Sequence, residues 1–385
     1  MRSTRLMCFK LADLPKKCYI FLDVVNYPPV DGRRERLLAH FNVPGFVASR
    51  TCFELNGYFG SKASYSDKSS PVHVTSYTTW FRCLVKMVRK TDDGHDGGPE
   101  YATGSKDYKW FEMSFFTRWE SRGLCQVLCV DTPPDFPDQL CKLLQKQDKL
   151  DFRDPFAMHA ALVDQMVVYY DISVWRVRDP VRHLEKTRMR TGTSFSPMHE
   201  ISRHAIHTAE ILEAATNTLN EMQRCRAVIY ERLPDDPGET HKGQAKDYAQ
   251  FQITLLRSLK LRSDSNQERL RNEVNLAFNN LARQDNSVMK SIALLTMIFL
   301  PATFISAIFS TTFFNYADDG SWQISDKLWI YWATTVPGTI VIVILWRIWL
   351  AHSDSIIGFS ETHWKGAKIW WKRRSAPKPN KIEQA

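Results

Sequence analysis

The sequence predicts a cytosolic α/β domain followed by long stalk helices and two C-terminal transmembrane helices, so that the membrane part is all helical. Two uncharged apolar runs lie close together near the C-terminus, and an extended amphipathic stretch leads into the first of them. The N-terminal half instead mixes strand-like and helix-like segments. The predicted segments are 1–190 (α/β domain), 191–290 (long antiparallel helices), 291–316 (first span), 317–327 (outer loop), 328–350 (second span) and 351–385 (basic cytosolic tail).

The α/β domain is predicted from local residue content. Aromatic and β-branched residues indicate strands at "CYIFLDVV", "TTWFRCLVKMV", "WFEMSFFTRW" and "QVLCVD". Helices are predicted at "PDQLCKLLQKQ" and "PFAMHAALVDQMVVYY". The eight cysteines are scattered without a CxxC pair, which is typical of reduced thiols in the cytosol.

The stalk is predicted as two helices joined by the turn "PDDPGETH", Pro234 to His241. The first is the amphipathic stretch "HEISRHAIHTAEILEAATNTLNEMQRCRAVIYERL". The second is expected to run from about Lys246 through Phe314 and to enter the first span. Apolar residues recur along it at steps of four, three, four and seven, which indicates a heptad seam that packs on copies or neighbours. These residues are Leu270, Val274, Ala277, Leu281 and Val288.

Both spans are predicted from their lack of charge. No charged residue occurs from Ser291 to Ala317, and a second uncharged run extends from Leu328 to Trp346. A helix needs about 20 residues to cross about 30 Å of hydrocarbon, and both runs meet or nearly meet that length. Globular helices rarely run so far without charge, so two buried core helices are the less favoured interpretation.

The distribution of charge predicts the topology. The chain has a formal net charge of +9, and much of its positive charge flanks the spans: Arg271, Arg283 and Lys290 before them, and Lys365, Lys368, Lys372, Arg373, Arg374, Lys378 and Lys381 after them. The connector is acidic instead, with Asp318, Asp319 and Asp326 against Lys327. Lysine and arginine in short loops mark the cytoplasmic side. We therefore expect a two-pass protein with both termini in the cytoplasm, in the plasma membrane rather than an organelle. Membrane lipid is the expected partner of the basic tail, and nucleic acid is not.

No catalytic pattern occurs in the soluble part. The sequence has no GxGxxG, GxxxxGK[ST], HExxH or GxSxG motif, so we expect neither an enzyme nor a cofactor. His199, His204 and His207 lie near the start of a helix, and the last two are one turn apart. A metal site would need a third ligand, such as Glu200, Glu210 or a residue from elsewhere. We expect surface histidines instead and assign no metal site in the soluble domain.

The first span carries a row of hydroxyl groups. At 100° per residue, Thr296, Ser310 and Ile292 fall within about 20° of Thr303. Ala307, Ser306 and Leu300 follow within about 60° of it, and Phe299 intrudes on this face. The opposite face is mainly Leu, Ile and Met. The hydroxyls either satisfy carbonyls of their own helix and hold helices together, or line an aqueous path for hydrated cations. The residues alone leave both alternatives open.

The layout resembles the CorA magnesium-transporter superfamily, and most closely its divergent fungal branch. The motif behind the resemblance is "MIFLPATFISAIFSTTFF", which is similar to the first-span pattern "FxPxTFxxxxxGMNF" of that family, with Pro301, Thr303 and Phe304 in the P-x-T-F element. The resemblance implies a homo-oligomer, a pentamer, whose pore is lined by the first span. The implied inner face comprises Asn286, Met289, Ile292, Leu300, Thr303 and Ala307, to which the helical wheel adds Thr296 and Ser310.

The resemblance breaks at the outer mouth. Where the family has Gly-Met-Asn, this chain has Ser310, Thr311 and Thr312. A threonine supplies a hydroxyl in place of the asparagine carbonyl and would hold a hydrated ion more weakly. Asp318 and Asp319 would still concentrate cations there. The expected function is passive or gradient-driven transport of divalent metal cations, Mg²⁺ first and Zn²⁺, Co²⁺ or Ni²⁺ next. The alternative is a non-conducting scaffold, sensor or partner subunit of a hetero-oligomer.

Overall fold

The computed structural model describes residues 2–5, 15–23, 33–66, 73–90, 99–102, 106–146, 150–187, 195–310, 314–316, 322–324 and 326–348. The chain divides into two compact units, Met1–Phe278 and Asn279–Ala385. The first unit holds an α/β domain, and the second holds the predicted spans.

The first unit is built on a six-stranded mixed sheet with the strand order β1-β2-β6-β5-β4-β3. Its strands are β1 (Arg2–Arg5), β2 (Lys17–Leu22), β3 (Gly57–Tyr65), β4 (Val74–Val88), β5 (Tyr108–Glu120) and β6 (Leu124–Val130). β1, β2 and β6 pair in parallel, and β6, β5, β4 and β3 pair antiparallel. The strands predicted from aromatic and β-branched content correspond to β2, β4, β5 and β6. β1 and β3 were not predicted.

Both faces of this sheet are covered. Tyr19 and Phe21 of β2 point into the larger core, whereas Cys18 and Ile20 of the same strand point into a smaller one, as the alternation of side chains along a strand requires. The larger core is closed by α3 (Phe136–Lys146), α4 (His159–Thr187), α5 (Phe195–Tyr230) and the N-terminal part of α6 (Glu239–Ser310). The smaller core lies under α1 (Arg33–His40), a 3₁₀ helix (Gly45–Ala48) and α2 (Arg50–Glu54). The cysteines of the described residues form no disulfide.

α4 begins later than its sequence pattern predicts. The predicted segment opens at Pro155, but residues 155–158 form turns and the helix starts at His159. Asp154 causes the delay, because its Oδ1 accepts a hydrogen bond from the Phe156 N–H at 2.8 Å and its carbonyl accepts the Ala157 N–H. A side chain that bonds the backbone in this way holds a turn in place of a helix.

α6 (Glu239–Ser310) begins earlier than predicted and ends earlier as well. Gly238 lies just before it at a φ of +94°, a left-handed conformation that glycine adopts readily. The Gly238 N–H donates to Asp236 Oδ1, and the Gly238 carbonyl accepts the Lys242 N–H that opens the helix. The predicted turn therefore closes three residues sooner, and Glu239 to His241 are helical.

α6 contacts both α4 and α5 within the first unit. Arg226 of α5 donates to the Ala245 carbonyl, and Glu213 of α5 lies 3.8 Å from Lys260, so α5 and α6 run antiparallel. Arg269 of α6 forms a two-point ion pair with Glu185 of α4. Leu270 and Ala277 of the predicted heptad seam are buried here, whereas Leu281 and Val288 of the second unit are exposed.

The second unit contains the end of α6, two short strands and α7 (Leu328–Ile348). The strands β7 (Phe314–Tyr316) and β8 (Trp322–Ile324) pair antiparallel, Phe314 opposite Ile324 and Tyr316 opposite Trp322. The expected helix through Phe314, with a first span to residue 316, is therefore wrong at its end. Residues 314–316 satisfy their backbone groups by pairing with the other side of the connector rather than within a helix.

Candidate pore-lining face and the buried histidine

Two described helices are long and apolar enough to cross a membrane. One is the C-terminal part of α6, and the other is α7. Almost none of the residues in the apolar stretch of either helix are buried within the chain. Exposed apolar surface on this scale needs a partner such as lipid or another subunit, because water solvates it poorly.

The structure places the predicted pore-lining residues on α6 with exposed side chains. Their arrangement follows from one continuous helix, which keeps residues seven apart on nearly the same face. The residues are Asn286, Met289, Ile292, Thr296, Leu300, Thr303, Ala307 and Ser310. A single chain presents this face and the opposite one equally to its surroundings, so the lining role of these residues stays a prediction.

The two threonine hydroxyl groups of this face, those of Thr296 and Thr303, are hydrogen-bonded to carbonyls of their own helix. Thr296 Oγ1 donates to the Ile292 carbonyl at 2.8 Å, and Thr303 Oγ1 donates to the Phe299 and Leu300 carbonyls at 2.9 Å. Each hydroxyl proton is therefore held inside the helix, while the lone pairs of the oxygen stay available. Such a row accepts hydrogen bonds from the water molecules around a cation.

Pro301 lies within α6 between these two threonines. Its ring nitrogen has no proton, so it cannot donate to the carbonyl of Met297 one turn before it. The helix nevertheless continues to Ser310. A carbonyl released in this way inside a membrane helix is tolerated where a neighbouring helix or water can satisfy it.

The outer-mouth residues are only partly described. Ser310 is the last residue of α6, and its side chain is exposed. Thr311 and Thr312 of the filter position, and Asp318 and Asp319 of the outer loop, lie outside the described residues.

One of the three histidines of α5, His204, differs from the prediction of surface histidines. His199 is exposed, but His204 is buried, with 3% of its side chain accessible, and so it is not a surface histidine. Its Nε2 lies 3.4 Å from Oδ2 of Asp107, which precedes β5. Burial, followed by the charge of Lys86, lowers the pKa of His204. The sequence offered no signal for Asp107, because it is far from His204 along the chain.

His207, one turn after His204, has a different neighbour. Its Nδ1 lies 2.8 Å from Nζ of Lys86, a buried lysine of β4 whose ammonium also lies over the rings of Tyr108 and Trp110. Burial, and then the charge of Arg203, lowers the pKa of Lys86 to about 8. The two histidines are one turn apart, but His204 lies beside the carboxylate of Asp107 and His207 lies beside the ammonium of Lys86.

An α/β domain joined to two exposed apolar helices, the first of which is the end of the long α6, is typical of a membrane protein. The profile of the family described as "CorA-like Mg2+ transporter protein" matches residues 127–352, more than half of the chain. The chain therefore belongs to the CorA-like Mg²⁺ transporter family, whose members are transporters rather than enzymes.

Solved structures show the same fold. The chain is similar to full-length CmaX, with a TM-score of 0.52 and 12% identity over 86% of this chain and 88% of that one. It is also similar to the CorA magnesium transporter of Methanocaldococcus jannaschii, with a TM-score of 0.51 and 13% identity over 85% and 89%. The resemblance noted in the sequence and the predicted fold class are therefore confirmed.

One curated relative is more similar in sequence. The "Notoamide biosynthesis cluster protein M'" of Aspergillus versicolor is 30% identical over an alignment of 274 residues, and the match covers 62% of this chain. The chain spans 58% of the length of that relative. Membership of a biosynthesis cluster is a property of that protein and assigns no activity to this chain.

Proposed function

We propose that this chain assembles into a homo-oligomeric pore that conducts divalent metal cations across a membrane. Family membership supports transport of a divalent cation, with Mg²⁺ the first candidate and Zn²⁺, Co²⁺ and Ni²⁺ the next. The observation that carries the proposal is the exposed face of α6 on which Thr296 and Thr303 hold their protons within the helix. This arrangement leaves oxygen lone pairs facing outward along a candidate span.

The chemistry of this face suits hydrated cations. Mg²⁺ gives up its water reluctantly, so neutral oxygens that accept hydrogen bonds from its water shell are better partners than groups that must strip the shell. In an oligomer, the copies of Met289, Ile292 and Leu300 would each form an apolar ring around the path. These rings would close the path by excluding water from it. One helix cannot enclose a path, so the proposal requires several copies of the chain, and the resemblance to the family favours five.

The proposed topology has two passes with both termini in the cytoplasm of a plasma-membrane protein. The acidic connector and the basic tail support it through the charge bias of short loops. Movement of the ion is passive or gradient-driven, no cofactor takes part, and the chain has no catalytic role.

Accessibility of the C-terminus tests the proposed topology. An epitope tag at the C-terminus should be inaccessible to antibody on intact cells and become accessible after permeabilisation; labelling of intact cells would contradict this topology.

Flux through purified protein tests conduction directly. The full-length chain is reconstituted into liposomes that enclose a Mg²⁺-, Zn²⁺- or Co²⁺-sensitive dye, after its oligomeric state has been measured in detergent. Uptake of at least one ion above protein-free liposomes is expected. A verified oligomer that passes none of the three ions would contradict the proposal.

A non-conducting role is the second candidate, and the outer mouth favours it. Ser310, Thr311 and Thr312 stand where the family has Gly-Met-Asn, and a hydroxyl offers a weaker and less directed contact to a hydrated ion than an amide carbonyl. In this case the chain would act as a scaffold, a sensor or a partner subunit. Replacing these residues together by Gly, Met and Asn should raise Mg²⁺ flux if the mouth limits conduction. If the chain is a scaffold, no Mg²⁺ flux should be measured after the same replacement.

A further inference from the structure

We propose that Asp107, Glu200 and His204 form a binding site for a transition-metal dication such as Zn²⁺ or Co²⁺ in the α/β domain. This site goes beyond the proposed conduction and does not depend on it. Asp107 lies just before β5, and Glu200 and His204 are one turn apart on α5. One ligand atom from each residue can be chosen so that all three lie within 4.8 Å of one another.

The separation of two of these atoms already matches that of two ligands of one ion. Bonds of about 2.0–2.2 Å from Zn²⁺ to nitrogen and oxygen place neighbouring tetrahedral ligands about 3.3–3.5 Å apart. Nε2 of His204 and Oδ2 of Asp107 are 3.4 Å apart. A histidine–carboxylate hydrogen bond is normally shorter than this distance, so the spacing of the pair fits two ligands of one ion as well as it fits a long hydrogen bond.

The imidazole of His204 is held in place but incompletely partnered. Its ring packs edge-on against Tyr108, with 5.4 Å between ring centroids, and the side chain is 3% exposed. Its Nδ1 is buried and has no hydrogen-bond partner among the described residues. No hydrogen bond to Nδ1 therefore fixes the tautomer, and Nε2 is available as a ligand on the side of Asp107.

A cavity gives the ion room and access. A space of about 210 Å³ is lined by all three residues and by apolar side chains such as Val88, Val177 and Pro180. The basic residues Arg89, Lys90 and Arg176 line it as well. The side chains of Asp107 and Glu200 are about half exposed, at 53% and 41%, so they connect the buried imidazole to solvent. Three protein ligands and one or more water molecules would complete the coordination, as in open zinc sites.

The ligand set selects the class of ion. One imidazole nitrogen with two carboxylates suits Zn²⁺, Co²⁺ or Ni²⁺, whereas sites for Mg²⁺ use oxygen ligands. The two carboxylates also balance the charge of a dication. We therefore expect this site to reject Mg²⁺, the first candidate for transport.

Several neighbouring cations affect the affinity of the site for a metal ion, and Arg203 and Lys86 are two of them. Arg203 forms an ion pair with Glu200, so this carboxylate must leave the guanidinium to reach the ion. Lys86 contributes a further positive charge, and its Nζ lies 2.8 Å from Nδ1 of His207. Removing Arg203 should therefore strengthen metal binding, an effect that a purely structural cluster would not show.

The test uses the metal-free, full-length protein in detergent. Co²⁺ binding is followed by its visible absorption, and Zn²⁺ affinity by competition with a chromogenic chelator. The chain should bind one ion at this site, and an excess of Mg²⁺ should not displace it. Asp107→Asn, Glu200→Gln and His204→Gln should each weaken binding about tenfold or more. Arg203→Gln should tighten it.

Two controls separate this site from the other features of the chain. His199→Gln changes an exposed histidine of the same helix and should bind as wild type does. Thr303→Leu, in the proposed pore, should also bind normally, so a failure of conduction and a failure of this site can be told apart. Asp107 and Glu200 are half exposed, so their variants keep the test valid even if His204→Gln unfolds. Wild-type affinity in both carboxylate variants, or no saturable Co²⁺ site in the wild type, would overturn the proposal.

Discussion

Nε2 of His241, in the first turn of α6, lies 3.3 Å from Oδ2 of Asp154, a buried carboxylate just before α4. The same oxygen accepts a hydrogen bond from the Tyr230 hydroxyl at 2.8 Å near the end of α5. Asp154 thus ties together the segments at which three long helices begin or end.

The stability of the α/β domain should depend on pH through this contact. The hydrogen bond to Asp154 raises the pKa of His241, with a smaller contribution from Asp151 and opposition from burial and from Arg153. A raised pKa in the folded state means that the contact stabilises fully below the ordinary histidine value of about 6.5. This stabilisation is lost as the pH rises through the raised value. The midpoint of thermal unfolding should therefore fall over this window in the wild type and change less in His241→Gln.

The contribution of Asp154 to stability depends on pH in the opposite direction, because it is lost as the pH falls. Burial alone raises the pKa of Asp154, but the hydrogen bond from His241 and the charge of Arg226 outweigh it, so the pKa is lowered overall. Its contribution is present above about pH 3.9 and is lost as the pH falls through the lowered value. His199→Gln is the matched control, since His199 is exposed. A wild-type pH profile in His241→Gln would refute the assignment.

Among the arginines of the sheet, Arg82 should be the one whose substitution lowers the free energy of unfolding most. It is 1% exposed, and its guanidinium donates to the carbonyls of Phe53 and Leu55 at 2.7 and 3.0 Å and to Glu112 at 2.5 Å. Arg82→Met leaves these acceptors without their donor and should lower the free energy of unfolding by about 2–4 kcal/mol. The expected fall in unfolding midpoint is about 2–4 °C per kcal/mol.

Arg50 provides the comparison. It also pairs with a glutamate at 2.5 Å, Glu54, but both side chains are largely exposed. Solvent screens such a pair, so Arg50→Met should leave the midpoint nearly unchanged. Equal losses in the two variants would show that burial does not decide the contribution of these ion pairs.

The same substitution at two glycines should have opposite effects. Gly60 of β3 lies opposite Trp80 of β4, and a methyl group on it would overlap the indole ring. Gly60→Ala should therefore destabilise the domain by about 1–3 kcal/mol. Gly243 lies within α6 with open space around it, so Gly243→Ala should stabilise the helix by about 0.4–1 kcal/mol. The midpoint of thermal unfolding should fall in Gly60→Ala and rise in Gly243→Ala. A fall in Gly243→Ala would contradict the prediction that a helical glycine in open space destabilises α6.

Thr303→Leu should abolish ion flux while the oligomer survives. The change removes a hydroxyl from the predicted lining and adds apolar bulk to a narrow path. Thr334→Leu is its matched control, because Thr334 of α7 is also exposed and also donates to carbonyls of its own helix, those of Ile330 and Tyr331. Flux into liposomes and the oligomeric mass in detergent are measured together. Loss of assembly in Thr303→Leu alone would favour helix packing over a conducting path.

Features that depend on local composition were predictable. The candidate spans follow from uncharged runs, since hydrocarbon excludes charge whatever the rest of the chain does. β2, β4, β5 and β6 are rich in aromatic and β-branched residues and were recognised. β1, with the sequence "RSTR", carries no such signal, and its strand exists only through parallel pairing with β2.

The sequence by itself determined the two apolar helices, the long helix before them and the hydroxyl face of α6, because each follows from helical periodicity and local residue content. Only the tertiary structure decided which distant side chains meet. It brought Asp107 to His204 and buried a histidine that the helix pattern placed at the surface. It also set Asp154 beside His241. Contacts of this kind depend on how the strands and helices pack, which no local pattern in the chain encodes.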